Sequence, residues 1–192
     1  MEQATRMEDL VNQLLSLSKM EGRSDAPEQE PLDVPYMLDV LVEEAKRLSD
    51  GRHRIRADIA PALQIIGNKD ELRSAFSNLV FNAVQYTPLN GKIDICWQLT
   101  TGGTAHFSVT DTGVGIAANH LSRLTERFYR VDEARTRHNG GAGLGLSIVK
   151  HALGHHQSRL NIDSTPGQGS CFSFTLPKER VLDIPRMENV SA

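Results

Sequence analysis

Four glycines, Gly140, Gly141, Gly143 and Gly145, fall within six residues of the stretch HNGGAGLGLSIVKH, and an apolar run with helical spacing follows at once. Each glycine costs a helix or strand about 0.5–1 kcal/mol relative to alanine, so the cluster is expensive unless bare backbone is needed. At a helix N-terminus the unpaired N–H groups and the helix dipole point the same way, which makes an anion site. Two familiar phosphate loops are excluded. A P-loop needs Lys-Ser/Thr directly after its last glycine, and here Leu146 and Ser147 follow Gly145. A dinucleotide-binding turn needs a buried strand just before it, whereas RVDEARTRHN is polar. Taken alone, the cluster suits a phosphate cradle or a flexible hinge.

The surrounding chain alternates between helical and strand-like patterns. DVPYMLDVLVEEAKRLSD predicts an amphipathic helix with Asp33 as cap and Pro35 in its first turn. HRIRADI and ALQII have strand character, and NKDELRSAFSNLVFNAVQYT predicts a second helix closed by Pro88 and the turn LNG. KIDICWQL and TAHFSVTD flank the turn TGG as a hairpin, and SRLNIDS and SCFSFTLP form another around TPGQG. A polar, arginine-rich stretch runs from Ala117 to Asn139, and LGLSIVKHALGHH gives a third helix. Hairpins interspersed with helices imply an α+β fold, a two-layer α/β sandwich with one mixed sheet covered on one face by three helices.

Outside that sandwich, MEQATRMEDLVNQLLSLSKMEG is helical, with Met7, Leu10, Leu14 and Leu17 on one stripe widened by Val11 and Leu15. A lone helix of this length is marginal in water. Its stripe therefore faces either its own domain or a helical bundle that the chain half contains. The expected division is a helix over 1–22, a linker over 23–31, a domain over 32–177 and a flexible tail over 178–192.

Composition narrows the partners. The net charge is −3, with 21 Lys+Arg against 24 Asp+Glu, which gives no sign of nucleic-acid binding. Cys96 and Cys171 fit no metal or redox spacing and read as small buried residues in strands, consistent with a reducing, cytosolic compartment. No apolar run approaches the roughly 20 residues needed to span a bilayer, and the charged start is unlike a signal peptide.

Three further stretches carry chemistry. In DTGVGI, Asp111 ends a strand, where its carboxylate can accept from an exocyclic amine while Gly113 and Gly115 let the chain turn under a flat ligand. An ordinary Asx turn reads the same way. Asn78 and Asn82 are four apart on one helix face, with Tyr86 a turn further along. A carboxamide oxygen suits Mg²⁺, and core hydrogen bonding suits the same residues. Between Arg123 and Arg137 lie Arg123, Arg127, Arg130, Arg135 and Arg137, around Phe128 and Tyr129. That composition fits a basic lid over polyphosphate or a solvated surface loop. His151 and His155 share a helix face without a third ligand, so they read as surface or structural residues.

The order of these elements is more specific than any one of them. An asparagine helix, D-x-G-x-G, a basic lid with an aromatic pair and G-x-G-x-G opening a helix together resemble the N, G1, F and G2 boxes of the sensor histidine kinase ATP-binding domain, in the superfamily shared with gyrase, Hsp90 and MutL. The resemblance covers roughly residues 32–176. RMEDLVNQLLSLSKMEG further resembles the end of the second helix of the kinase dimerisation and phosphoacceptor domain. LTERFYRVDEAR and KHALGHHQSRLNIDST look most like the phosphate-regulon sensor kinases of bacteria.

The resemblance implies ATP and Mg²⁺ as cofactors. Asn82 would bind the metal, with Asn78 supporting it. Asp111 would recognise the adenine amino group, and Gly113, Gly115, Ile116 and Tyr86 would shape the base pocket. Tyr129 and Arg130 would belong to the lid, Arg130 reaching the terminal phosphate. Gly141, Gly143 and Gly145, with the amides of Leu144 and Leu146, would cradle the phosphates. The family usually carries lysine at the position of Gln85 and Thr or Ser at that of Ala142, so one cation and one hydroxyl are lost. The ATPase branch has glutamate at the position of Asn78; an amide cannot act as general base on water, which favours transfer to another acceptor over hydrolysis.

No histidine here stands in the family's acceptor context, since His53 lies in the strand-like GRHRIRAD. The expected picture is thus a catalytic fragment that cannot autophosphorylate by itself, the cytoplasmic domain of a bacterial inner-membrane sensor. Its partners would be its own dimerisation and phosphoacceptor domain and a PhoB-like response regulator, within a homodimeric full-length protein. The competing readings are a regulatory nucleotide module without turnover and an anti-sigma-type serine kinase.

Overall fold

The computed structural model describes residues 28–131 and 142–182. The helix expected over 1–22, most of the expected linker, and Gly140 and Gly141 lie outside these residues. In chain order the elements are β1 (Glu30–Leu32), α1 (Val34–Ser49), β2 (Arg54–Ile59), β3 (Ile65–Gly67), α2 (Lys69–Tyr86), β4 (Lys92–Leu99), β5 (Ala105–Asp111), the short α3 (Ala118–Leu121), α4 (Gly145–His155), β6 (Asn161–Thr165), β7 (Gly169–Leu176) and a 3₁₀ turn (Lys178–Arg180).

Local chemistry sets the helix ends. The Asp33 carboxylate accepts from Tyr36 N at 3.0 Å, capping α1, and Pro35 takes the first turn. Asn68 caps α2 by accepting from Glu71 N at 3.0 Å, with Asp70 and Glu71 on the positive end of the dipole. Helix α2 stops at Thr87, ahead of Pro88.

The main sheet has the order β2-β4-β5-β7-β6. β2 runs parallel to β4 and every other pairing is antiparallel. Such a parallel pair needs a crossover, and α2 lies in that connection. One face of the sheet carries Ile93, Ile95, Trp97, Phe107, Val109, Phe172 and Phe174, all buried beneath α1, α2 and α4. Phe76 of α2 stands edge-on to Phe107, 4.8 Å between ring centroids, and to Trp97 at 5.9 Å. The expected mixed-sheet sandwich is the observed fold.

Three expectations need correction. Cys96 and Cys171 do lie in strands, but they fall on the open face of the sheet and are only half-buried, because alternation puts Trp97 and Phe172 inward instead. The expected linker over 23–31 overlaps the fold, since Glu30 and Pro31 already pair with β3. The tail expected to be flexible from Lys178 is ordered through Leu182. Val181 bridges Ile65 and Leu182 N donates to Gln64 O at 2.9 Å. The cause is Arg180, only 8% exposed, whose guanidinium donates to Gln29 Oε1 at 2.8 Å and to the carbonyls of Ile66 and His155, each at 3.2 Å.

A polar cluster closes this end of the α2–α4 pair. Glu71, also buried, takes His155 Nδ1 at 2.9 Å. His156, fully buried, donates from Nδ1 to Ala152 O at 2.6 Å and accepts Asn68 N–H on Nε2 at 3.0 Å, which fixes a neutral tautomer. Burial, ahead of every other influence, holds its pKa below the ordinary histidine value. Asn68 Nδ2 donates to Glu28 O at 3.0 Å, tying the entering chain to the same corner.

Candidate functional site

At its other end the same helix pair brings Asn78 of α2 against the start of α4. Asn78 and Asn82 sit half-buried on one face of α2. Asn78 Nδ2 donates to Ser74 O at 2.8 Å, and its Oδ1 faces the start of α4 so closely that a Cβ on Gly145 would lie 2.5 Å away. Gly145 is therefore bare because a side chain of α2 approaches it. Gly143 has φ +75° and packs on the backbone of Phe128, whose N–H donates to Gly143 O at 2.9 Å. Phe128 itself stands at φ +62° with its ring 60% exposed. These two glycines thus serve close approaches within the protein.

What remains open is polar. Asn82, one turn beyond Asn78, makes no side-chain hydrogen bond among the described residues. Helix α4 begins after Leu144 with no side-chain cap, so the N–H groups of its first turn keep no side-chain acceptor. The two features suit a hard cation and a phosphate respectively. Leu144 is buried and Leu146 half-buried.

Asp111 ends β5 at 5% exposure. Burial pushes its carboxyl above the ordinary range, opposed by hydrogen bonds from the N–H groups of Gly113 and Ser170. The Gly113 bond to Oδ1 is 2.7 Å. A Cβ on Gly113 would meet that oxygen at 2.5 Å and Tyr86 O at 2.6 Å, so only glycine fits between them. Tyr86 contributes this carbonyl while its ring is 45% exposed. The loop then fastens onto the last hairpin: Ile116 N donates to Ser164 Oγ at 2.8 Å and Gly167 N to Val114 O at 2.8 Å. Gly115 and Gly169 both have positive φ, and a Cβ on either would strike backbone, that of Thr165 and of Asp111 respectively.

Sequence pattern alone does not single out Ser164, Gly169 and Ser170. Ser164 Oγ also donates to Gly169 O at 3.0 Å, joining the hairpin's two strands beneath Asp111. The one signal is the second glycine of TPGQG, which a simple two-strand turn leaves unexplained.

The arginine-rich stretch is described up to Val131. Tyr129 is half-buried, its hydroxyl 2.6 Å from His120 Nδ1 and its ring covered by the Arg123 guanidinium at 4.2 Å. Arg130 is half-buried beside it, Gln85 is exposed and Ala142 half-buried. Gly141 falls outside the described residues. His151 and His155 do not converge on a metal; among the described residues no group of three histidine, cysteine or acidic side chains does.

A sandwich with a buried carboxylate at a strand end, two amides on one helix face and a helix start without a side-chain cap carries groups that suit a nucleotide. The family model for histidine kinase-, DNA gyrase B-, and HSP90-like ATPases matches residues 67–180, and the chain belongs to this family. Within it, the chain is 50% identical to the phosphate regulon sensor protein PhoR of Pseudomonas aeruginosa over 186 residues, 96% of this chain and 42% of that protein. Identity to the PhoR of Haemophilus influenzae is 44%, over 94% of this chain and 42% of that protein. The chain thus spans less than half the length of these curated relatives. Among solved structures, mycobacterial sensor histidine kinase MprB matches with TM-score 0.69 and 27% identity, over 78% of this chain and 97% of that one. Full-length ShkA in complex with AMPPNP matches with TM-score 0.79 and 27% identity, over 92% of this chain and 36% of that one.

Proposed function

We propose that this chain is the catalytic, ATP-binding part of a two-component sensor histidine kinase, transferring the γ-phosphate of Mg-ATP to a histidine on a dimerisation and phosphoacceptor domain. The observation that carries the reading is the pairing of an ionisable acceptor, Asp111, with an amide, Asn78, in place of a water-activating carboxylate. Asp111 accepts from the adenine amino group while Gly113, Gly115 and Ile116 hold the loop under the base and Tyr86 lines it. Asn82 holds Mg²⁺, which when bound neutralises phosphate charge. Gly141, Gly143 and Gly145, with the amides of Leu144 and Leu146, receive the phosphates, and Tyr129 and Arg130 close over them. Phosphoryl transfer asks the protein for positioning and charge neutralisation rather than covalent chemistry. With no carboxylate to activate water, an external imidazole takes the phosphoryl group.

The kinship with PhoR supports phosphate-starvation signalling, a PhoB-like response regulator as the next acceptor, and a homodimeric, membrane-anchored parent protein with this domain in the cytoplasm. Residues 1–22 then belong to the dimerisation helix. The experiment mixes this chain with a separately prepared acceptor domain, γ-labelled ATP and Mg²⁺. Acid-labile label on the acceptor, lost with Asn82→Ala, is the expected result. ATP binding without any label would favour a nucleotide module without turnover, and stable label on serine would favour the anti-sigma type.

A further inference from the structure

A histidine joins α1, the start of β2 and the end of α2. His53 lies between α1 and β2, half-buried. Its Nε2 is 2.9 Å from the carbonyl of Thr87, the residue that ends α2. A carbonyl only accepts, so Nε2 carries the proton, and in the neutral ring Nδ1 accepts from Ser49 Oγ at 3.0 Å. Ser49, the last residue of α1 and 1% exposed, also accepts the backbone N–H of His53 at 3.1 Å. The ring is therefore held in one orientation, with its donor aimed at the end of α2.

Thr87 is buried, and its own hydroxyl turns back to Ala83 O at 2.6 Å. No turn of helix follows to take up its carbonyl, because Pro88 and the tight turn to Gly91 come next. One residue earlier, Tyr86 O is the surface on which Gly113 rests, and Val114 N approaches the same oxygen at 3.4 Å. Gly113 N–H in turn fixes Asp111 Oδ1. Any drift of the Thr87 peptide moves the Tyr86 carbonyl, then the Gly113 amide, then the carboxylate.

We infer that His53 is a positioning residue for adenine recognition: the Ser49–His53–Thr87 chain fixes the end of α2 and, through Tyr86 O and Gly113, aims the Asp111 carboxylate. This rests on the proposed role of Asp111 as the acceptor for the base. The phosphate side of the site, at the start of α4, is not part of the chain of contacts.

The test compares binding of Mg-ATP and of Mg-triphosphate, which has no base, to the full chain by calorimetry, with a thermal melt on each variant. His53→Met keeps the bulk and removes the donor; His53→Gln keeps an N–H. The expected result is ATP affinity about five- to tenfold weaker in His53→Met, the effect of one lost buried hydrogen bond partly transmitted, with triphosphate affinity unchanged and His53→Gln recovering most of the loss. Equal weakening of both ligands, or no weakening of ATP binding, overturns the inference. Should His53→Met fail to fold, Ser49→Ala, which leaves the ring unoriented, takes its place: weaker ATP binding with unchanged triphosphate binding supports the inference, and any other pattern overturns it. A wild-type chain that binds no ATP at all would instead overturn the nucleotide reading itself.

Discussion

Helices α2 and α4 lie side by side, and their two ends are built on opposite principles. At the end formed by Asn68, Glu71, His155, His156 and Arg180, buried and half-buried polar groups are bonded to one another across elements, and among the described residues only Glu71 Oε2 and Arg180 Nε are left there buried without a hydrogen bond. At the end formed by Asn78, Asn82 and Gly145, an amide is left without a partner among the described residues and a helix starts without a side-chain cap. Satisfied buried polar groups specify and rigidify. An unbonded amide beside bare helix N–H groups suits a polar ligand instead.

The most severe break at the open end is Asp111→Asn. An amide presents its N–H₂ where acceptor oxygen is required, so ATP affinity should fall about 100-fold, as for a site built around one specific hydrogen bond; calorimetry measures it. At the closed end, Arg180→Ala strands the carbonyls of Ile66 and His155. It should cost about 2–3 kcal/mol in denaturant unfolding, while the remaining folded fraction binds ATP with wild-type affinity. Loss of both properties together would mean the two ends are not separable. Gly145→Ala pushes α4 off Asn78 and should lower stability by about 1–2 kcal/mol through overpacking, with ATP binding weakened in parallel.

The smallest effect is the response to acid, and it has opposite sign at the two ends. His156 has a lowered pKa, so the unfolded chain takes up its proton first. Stability from this group falls as pH drops below 6.5 toward the folded value, by at most about 1.4 kcal/mol per pH unit. Asp111 has a raised pKa, so its contribution is fully present below 3.8 and is lost as pH rises through the folded value. Melts across this range should show the His156 slope flattened in His156→Gln. A slope unchanged by that substitution would place the titration elsewhere.

Much of the fold is legible in the sequence because its signals are local and repeated. The caps Asp33 and Asn68, the 3.6-residue stripes and the alternation of β4 and β7 each declare an element within a few residues. The open end is legible for a related reason: glycines and asparagines at fixed spacing stand out against an apolar background. The closed end is not. Arg180 is one arginine after the last strand, and its acceptors lie 25, 114 and 151 residues away in the chain. Contacts of that kind have no period. Ser170 is hidden differently: the second glycine of TPGQG is a signal, but nothing in the pattern ties its neighbour to Asp111 on the adjacent strand. The glycine spacing suggests room for phosphate, and it gives no hint that Phe128 and Asn78 also crowd Gly143 and Gly145.

Strand β3, only three residues long, receives both ends of the described domain: Glu30–Leu32 pairs along it from one side and Val181 bridges Ile65 from the other. The two ends of the described domain therefore meet at a single corner. Glu28 and Leu182 both lie at that corner, at the end of the α2–α4 pair opposite Asn78 and Gly145. Joining the two ends of the described domain by a short linker and reopening the chain at the turn Thr100–Gly103 should give a circular permutant that folds and keeps wild-type ATP affinity by calorimetry.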